Sequence, residues 1–385
     1  MRRYLLPLFL LASVACSTTS GPPPASLQTT PSTSPSAGVT VLPSASPSSS
    51  PAPPVMHVAF TCRLPVITLT YGAESNTYQG GFISFPSGAY AADPKGVITF
   101  KSGFFVTQQT PALIGGPDEL TPPFFDVAAG RWVPSSAGET APDGSSYAYA
   151  NTSDPSTGAA IIHVVNVRSG TEKTFHVAIP IVAASGIEVV DYDGAGVYFV
   201  ANQIDSRPTG VWRLDVATGK VAALAQTGNV LAVRGGYAWV GALDPHDSNP
   251  PQAGSRPLFD SIAQVNLSNG AQTTWFHTPG RSETLLGLVT NGNPVLNISD
   301  APDYPVNGGE VRLLDHPSSG AEDSGQLVSG SGMSLSQPQG DGDRTWFAGD
   351  GGIYLYTQAA GLQRVFSGPA NPKTGGMISP AGFCR

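Results

Sequence analysis

The sequence predicts an all-β fold, specifically a six-bladed β-propeller made of four-stranded blades. Long amphipathic helical patterns are absent, and short β-branched and aromatic runs alternate instead with Gly, Asn, Asp and Pro turns. Two turn signals recur in step along the chain, at spacings that suit one blade each. Segments at the two ends of the chain also match parts of a blade, and such a pair can close the ring.

The first turn signal is a polar residue followed about four positions later by glycine, between two strand-like runs. It occurs at Asp126/Gly130, Asn166/Gly170, Asp215/Gly219 and Asn266/Gly270, and more loosely at Asp315/Gly320 and Thr357/Gly361. Successive copies lie 40, 49, 51, 49 and 42 residues apart. Because Asp and Asn can accept hydrogen bonds from the turn backbone and glycine adopts positive φ, each copy predicts a hairpin.

The second signal lies before each hairpin and is a glycine-containing turn followed by an aromatic or branched strand. It reads GGFISF (80–85), DGSSYAYAN (143–151), DGAGVYFVAN (193–202), GGYAWVGAL (235–243), NGNPVLNIS (291–299) and DGDRTWFAGD (341–350). A further short apolar run precedes most copies, as in GIEVVDYDG. The repeating unit is therefore a strand, a turn, a second strand, a loop, a third strand, a hairpin and a fourth strand.

The ends of the chain predict how the ring closes. The segment GGMISPAGFC (375–384) matches a first strand that lacks its own second strand. We expect it to lie beside CRLPVITL (62–69), in the blade that contains GGFISF. A disulfide between Cys62 and Cys384 would then lock the closure, since exported proteins can keep such bonds. The alternative is two unrelated thiols.

The N-terminus predicts export. Arg2 and Arg3 precede an apolar run at residues 4–15 that is too short to cross a bilayer. The last residues of this run are mostly small, as before a signal-peptide cleavage site. Cys16 resembles the lipidated cysteine of a bacterial lipobox, although Ser13 departs from the usual pattern. The resemblance implies a signal peptide at 1–15 and a lipid anchor on the outer side of the cell membrane. A cut after Ala15 that releases a secreted protein is the alternative.

Composition divides the remainder into a tether and a folded domain. Of residues 17–56, 27 of the 40 are Ser, Thr or Pro and none is charged, so we expect 16–56 to be a disordered tether. Residues 57–385 form the predicted propeller, which we expect to be monomeric. The net charge of −8 and the absence of a basic run argue against a nucleic-acid partner.

One stretch carries a family resemblance. The residues Ala141-Pro142-Asp143-Gly144, followed by the strand-like run at 147–150, resemble the repeat of TolB-like and WD40-like (PD40-type) propellers. CRLPV, GGFISFP and GRWVP look like segments of a group of exported bacterial propellers. The resemblance implies a platform for interaction and brings no catalytic residue with it. Fold alone does not decide function.

The sequence shows little catalytic chemistry. It contains no Gly-x-Ser-x-Gly elbow and no glycine-rich phosphate loop, and its six histidines lack metal-ligand spacing. The turns at Asp191-x-Asp193-Gly194 and Asp341-Gly342-Asp343 make calcium possible, but Asp-Gly is also what tight turns select. No other cofactor is predicted, and an enzymatic function is the less favoured hypothesis.

Long loops between the second and third strands, such as residues 86–123 in blade 1, provide the candidate site. Such loops all emerge on one face of a propeller, where binding residues concentrate on a rigid scaffold. The candidate ligand-binding residues are Asp205, Arg207, Asp244, His246, Arg256, Asp300 and Tyr304. They favour a binding module for a protein, peptide or glycan partner. The alternative is a metal-dependent hydrolase or lactonase at the channel mouth, with Asn151, Asn202, Asp244 and Asp300 as ligands.

Overall fold

The computed structural model describes most of the chain after residue 53. The described residues are 54–71, 76–101, 104–107, 113–114, 122–151, 160–177, 184–203, 210–244, 246, 259–300, 309–317, 325–330, 333–368 and 378–385. The first strands are β1 (Cys62–Tyr71), β2 (Asn76–Phe85), β3 (Ala89–Lys101), β4 (Phe104–Thr107), β5 (Leu113–Ile114), β6 (Phe124–Asp126), β7 (Arg131–Val133), β8 (Ser146–Asn151), β9 (Ala160–Asn166) and β10 (Glu172–Val177).

The remaining strands repeat a regular pattern. They are β11 (Ala184–Asp193), β12 (Gly196–Gln203), β13 (Val211–Leu214), β14 (Val221–Ala225), β15 (Val230–Arg234), β16 (Tyr237–Ala242), β17 (Ser261–Asn266), β18 (Gln272–His277), β19 (Arg281–Leu288), β20 (Pro294–Asp300), β21 (Glu310–Leu313), β22 (Gln326–Ser329), β23 (Leu335–Asp341), β24 (Arg344–Gly349), β25 (Gly352–Thr357), β26 (Gly361–Ser367) and β27 (Ile378–Pro380).

The fold is the predicted six-bladed propeller. Blades 3 to 6 are antiparallel four-stranded sheets in chain order: β11–β14, β15–β18, β19–β22 and β23–β26. Blade 2 is β8, β9 and β10, and the bridge between Thr140 and Tyr147 supplies its innermost position. Apolar clusters join neighbouring blades, such as the cluster of blades 4 and 5 in which Trp239 packs edge-on against Trp275 at 4.8 Å. The core of the protein therefore lies between the blades.

The hairpin turns form as their sequences predict. In the turn between β9 and β10, the Gly170 amide donates to the Asn166 carbonyl at 2.8 Å, and the Ser169 amide donates to the Asn166 side chain at 2.9 Å. Gly170 has φ of 69°, which favours glycine. These hairpins and the turns that follow the inner strands share one end of the ring, called here the turn face. The opposite end, with the connections from second to third strands, is the loop face.

The ring closes in blade 1 as predicted. Strand β27 pairs with β1, with Val66 opposite Pro380, and provides the innermost strand of this blade. Cys62 and Cys384 form a disulfide with a Cα–Cα distance of 5.5 Å across 322 positions of sequence. The disulfide therefore joins the two segments that complete the ring.

The interior of blade 1 differs from the prediction. Gly80 and Gly81 lie inside β2 rather than in a turn, and β2 is the third strand of the six-stranded sheet β27-β1-β2-β3-β4-β5. Residues 86–123, expected to be a loop, contain β3, β4 and β5. Close packing explains the glycine at position 80, because a Cβ there would lie 2.6 Å from the ring of Trp132. Gly80 therefore makes room for an indole, whereas a Cβ on Gly81 would lie 2.7 Å from the ring of Tyr90.

The hairpin of β6 and β7 also has a different role from the one predicted. It was expected to be the outer pair of blade 1, but it forms a separate two-stranded sheet. Phe125 and Trp132 pack with Phe82 of blade 1, whereas Val133 packs with Tyr147 of blade 2. The hairpin is thus a wedge between the first two blades.

Candidate functional site

A cavity of about 570 Å³ lies in the channel of the propeller. Every blade contributes to it, together with the segment that leads into β6. Its lining includes residues 122–124 and 126, 136–138 and 140–142, 190–193, 232–235, 286–290, 337–339, and 380, 381 and 383. In blades 3 to 6 these are the carboxyl-terminal parts of the inner strands. The cavity therefore lies toward the turn face.

The inner strands of blades 3 to 6 are irregular where they approach this cavity. Each loses register with its neighbour, between Val189 and Asp191 in β11 and at the equivalent places in β15, β19 and β23. Bulges of this kind redirect side chains and are common beside functional sites. In β23 the irregularity holds Gln337 at φ of 50°, and its buried side-chain oxygen has no hydrogen-bond partner among the described residues. Gln337 therefore presents an unused acceptor in the lining.

Carboxylates occupy the wall formed by blade 3 and the β6 hairpin. Asp191 is only 4% exposed, and Arg234 Nε lies 3.7 Å from its Oδ1. Burial raises the pKa of Asp191 to about 6, although the positive charge of Arg234 opposes the rise. The Asp193 carboxylate already accepts two hydrogen bonds within the protein, from the Ala195 amide at 2.7 Å and from the Tyr198 hydroxyl at 3.1 Å. Asp191 is thus the carboxylate available to the cavity.

Two further acids lie on the blade 2 side. Asp126 accepts the Ala129 amide at 2.7 Å, and burial raises the pKa of its carboxyl group. A Cβ on Gly144 would lie 2.5 Å from the Asp126 oxygen, so the glycine of the Pro-Asp-Gly motif lets this carboxylate approach. Burial also raises the pKa of Glu139 to about 7, against the hydrogen bond from the Ser136 amide.

Apolar side chains form another part of the lining. They are Leu286, Leu288 and Val289 of blade 5, Pro338 of blade 6, Pro380 of blade 1, and Phe124 and Phe383. An apolar lining with a few convergent polar groups is typical of small-ligand sites, and about 300–1,000 Å³ is their usual volume. The cavity can therefore accommodate a molecule that is apolar on one side and polar on the other.

A second cavity of about 590 Å³ lies between blades 5 and 6. Its polar lining is largely engaged within the protein: the Tyr356 hydroxyl donates to Gln326 Oε1 at 2.9 Å, and Gln326 Nε2 donates to Asp315 Oδ2 at 3.1 Å. Because these groups satisfy one another, the channel cavity is the stronger candidate site.

The sequence-predicted site residues that the structure describes lie elsewhere, on the loop face. Asp244 follows β16, where its carboxylate accepts the His246 amide at 2.8 Å and lies 3.5 Å from His277 Nδ1. Asp300 ends β20 and pairs with Arg281 Nε at 3.1 Å. His246 is exposed. Asp244 and Asp300 are therefore each paired with a basic side chain, at the end of the ring opposite the cavity.

Most of the other predicted positions fall outside the described residues. These positions are Cys16, Asp205, Arg207, Arg256 and Tyr304. Asn151 ends β8 and Asn202 lies in β12, both toward the loop face. Within the described ranges, no group of three or more His, Cys, Asp or Glu side chains is arranged to hold a metal ion. Asp341, which belongs to one of the two turns considered for calcium, forms an ion pair with Arg344 at 3.0 Å.

Sequence reasoning missed the main features of the cavity. From the sequence, Asp191 belongs only to a turn of calcium-binding type, and Arg234 and Gln337 have no predicted role. The available signal was Pro338, which lies shortly before the glycine turn at 341–342, where an inner strand is expected; proline inside a strand indicates a bulge or an edge.

A buried acidic pair, Asp260 and Glu283, lies between blades 4 and 5 near the loop face. Asp260 is 0% and Glu283 2% exposed. Asp260 accepts the Asp244 amide at 2.8 Å, whereas neither carboxyl oxygen of Glu283 makes a well-formed hydrogen bond to a described residue. Burial, and then the charge of Asp260, raises the pKa of Glu283 well above its ordinary value; nearby Thr278 and Arg281 oppose the rise.

Comparisons with known proteins give similarities to solved propeller structures only. No family model matches the chain, and no curated protein matches it. Among solved structures it is similar to the β-propeller domain of the Trilobed protease from Pyrococcus furiosus (11% identity, TM-score 0.40, covering 79% of this chain and 86% of that one). It is also similar to TolB from Acinetobacter baumannii (10%, 0.36, 82% and 80%) and to an oligogalacturonate lyase in complex with manganese (11%, 0.41, 82% and 88%). At these identities the likeness concerns the fold alone.

In the part of the chain that the structure describes, no helix has the length and apolar character needed to cross a bilayer.

Proposed function

We propose that this protein is a binding propeller that holds its ligand in the channel cavity near the turn face. The observation that carries the proposal is the cavity of about 570 Å³ to which all six blades contribute. A ring that the Cys62–Cys384 disulfide closes is a rigid frame, and a rigid frame lowers the entropy cost of ordering a site on binding.

The N-terminal sequence supports a location for this activity. We infer that residues 1–15 direct export and that Cys16 carries a lipid, with the Ser/Thr/Pro-rich tether holding the propeller away from the membrane. A binding domain displayed in this way has access to molecules outside the cell. Binding is the proposed activity; within the described residues, no group of three or more His, Cys, Asp or Glu side chains could hold a metal ion.

Filling the cavity tests the proposal. Ala137 lines the cavity, so Ala137→Trp should occupy part of it, whereas Ala217→Trp places the same side chain on an exposed outer hairpin turn. A fragment library is screened against both variants and the parent protein by ligand-observed NMR. We expect a set of fragments that bind the parent and Ala217→Trp but not Ala137→Trp. Identical fragment sets for all three proteins would show that the cavity is not the site.

A further inference from the structure

The charge of the cavity lining is unbalanced. Its described side chains include three carboxylates, those of Asp126, Asp191 and Asp193, and one positively charged group, the guanidinium of Arg234. Asp126 and Asp193 are engaged in their own turns. The excess negative charge therefore concentrates at Asp191, the carboxylate that is buried without capping a turn.

Arg234 does not neutralise this carboxylate fully. Its Nε lies 3.7 Å from Asp191 Oδ1, which is beyond a hydrogen bond, and its side chain is 39% exposed. The raised pKa of Asp191 shows the same imbalance, because a well-made ion pair would lower it. A positively charged group from a ligand could therefore be added beside Asp191 with a favourable electrostatic energy.

Gln337 contributes a second acceptor on the blade 6 side. Its buried oxygen lacks a partner among the described residues, and leaving a buried polar atom unpaired costs about 1–3 kcal/mol. A donor from the ligand would remove this cost. The Asp191 carboxylate and the Gln337 oxygen can thus both accept hydrogen bonds from a ligand.

The apolar part of the lining restricts what carries those donors. Leu286 and Leu288 of blade 5 and Pro338 of blade 6 offer no hydrogen-bonding group from their side chains. A fully hydrated cation would lose its water against this surface without compensation. An apolar body with one cationic end suits both parts of the lining.

We propose that the channel cavity binds ligands with a protonated amine on an apolar body, with Asp191 as the main anchor of the amine. This inference rests on the proposed function and specifies the ligand class of the same site. Such a ligand could be a small amine or a lysine side chain of a partner protein, because both present the same chemistry.

Three matched probes test the ligand class. 2-Phenylethylamine, 2-phenylethanol and phenylacetate share a phenyl ring on a short chain and differ in charge. Their dissociation constants are measured by NMR titration at pH 7.5. We expect the amine to bind at least about tenfold more tightly than the alcohol, the effect of one partly buried charge pair, and the carboxylate to bind most weakly.

Two variants assign the preference to Asp191. Asp191→Asn should bind the amine and the alcohol equally, whereas Asp343→Asn, at a side chain that is 94% exposed, should keep the preference. The preference should also weaken from pH 7.5 to pH 5, because Asp191 then becomes protonated while the amine stays charged. The other charged groups near Asp191 are Asp126, Glu139, Asp193 and Arg234. A pH dependence of amine binding that persists in Asp191→Asn is therefore assigned to those groups.

The outcomes separate this inference from the proposed function. Equal binding of amine and alcohol to the parent protein would overturn the ligand class and leave the binding function in place. Tighter binding of phenylacetate, or no binding of any probe at millimolar concentration, would also overturn it. The fragment comparison with Ala137→Trp then decides independently whether the cavity binds ligands at all.

Discussion

Asp191 and Glu283 are both almost completely buried on inner strands, at opposite ends of the ring. Asp191, near the carboxyl end of β11, lines the channel cavity and lies beside Arg234. Glu283, near the start of β19, is enclosed between blades 4 and 5, and the nearby acid Asp260 raises its pKa further. The pKa of each carboxyl group is raised mainly by burial. A shifted pKa alone therefore does not identify a binding group, whereas the adjacent cavity does.

The largest expected effect comes from Glu283→Gln. The folded-state pKa of Glu283 lies above its ordinary value of 4.5, so its stabilising contribution is complete below that pH and is lost as the pH rises through the folded pKa. The loss follows a slope of about 1.4 kcal/mol per pH unit. We expect Glu283→Gln to be more stable than the parent at pH 9 and nearly equal at pH 4.5, as measured by urea unfolding.

Two comparisons make this prediction specific. Glu139 has the same sign of pH dependence between 4.5 and about 7, but it is present in both proteins and cancels in their difference. Amine binding should be unchanged in Glu283→Gln, because Glu283 does not line the cavity. Parallel pH–stability curves for the parent and the variant would show that folding does not raise the pKa of Glu283.

An intermediate effect is expected from Asp191→Asn. The pKa of Asp191 is raised from 3.8 to about 6, so the charged carboxylate lowers stability above that range. We expect the variant to gain about 1–3 kcal/mol at pH 7.5 in the same urea measurement. It should lose its preference for amines at the same time. A gain in stability with a loss of binding is typical of a residue kept for function.

The smallest effect is expected from Asp300→Asn. This carboxylate pairs with Arg281, but its side chain is 88% exposed, and exposed ion pairs contribute about 0–1 kcal/mol. We expect a change within about 0.5 kcal/mol at pH 7.5. A larger loss would indicate that Arg281 depends on Asp300 to remain near Glu283, and the pH dependence assigned to Glu283 would then change with it.

The repeat architecture could be predicted because turn chemistry is local. Asn166 and Gly170 form their hairpin through contacts within five residues, and the same holds for the other clear copies. The pairing of the two ends followed from counting strands, since one blade lacked an inner strand. The interior of blade 1 was assigned wrongly because Gly80 and Gly81 resemble a turn in sequence, and the packing of Gly80 against Trp132 involves a residue about 50 positions away.

The candidate site could not be predicted in the same way. Long loops directed attention to Asp244 and Asp300 on the loop face, whereas the cavity lies toward the turn face. Asp191, Arg234 and Gln337 belong to three different blades, and no local pattern relates them.

By itself, the sequence determined the strand–turn repeat, the number of blades and the closure by residues 62–69 and the C-terminal segment. Only the tertiary structure decided which side chains meet in the channel and which carboxylates are buried between blades. The physical reason is range: hydrogen bonds in a turn involve neighbouring residues, but a cavity forms where segments of six blades converge. Burial and charge at that point depend on all of them together.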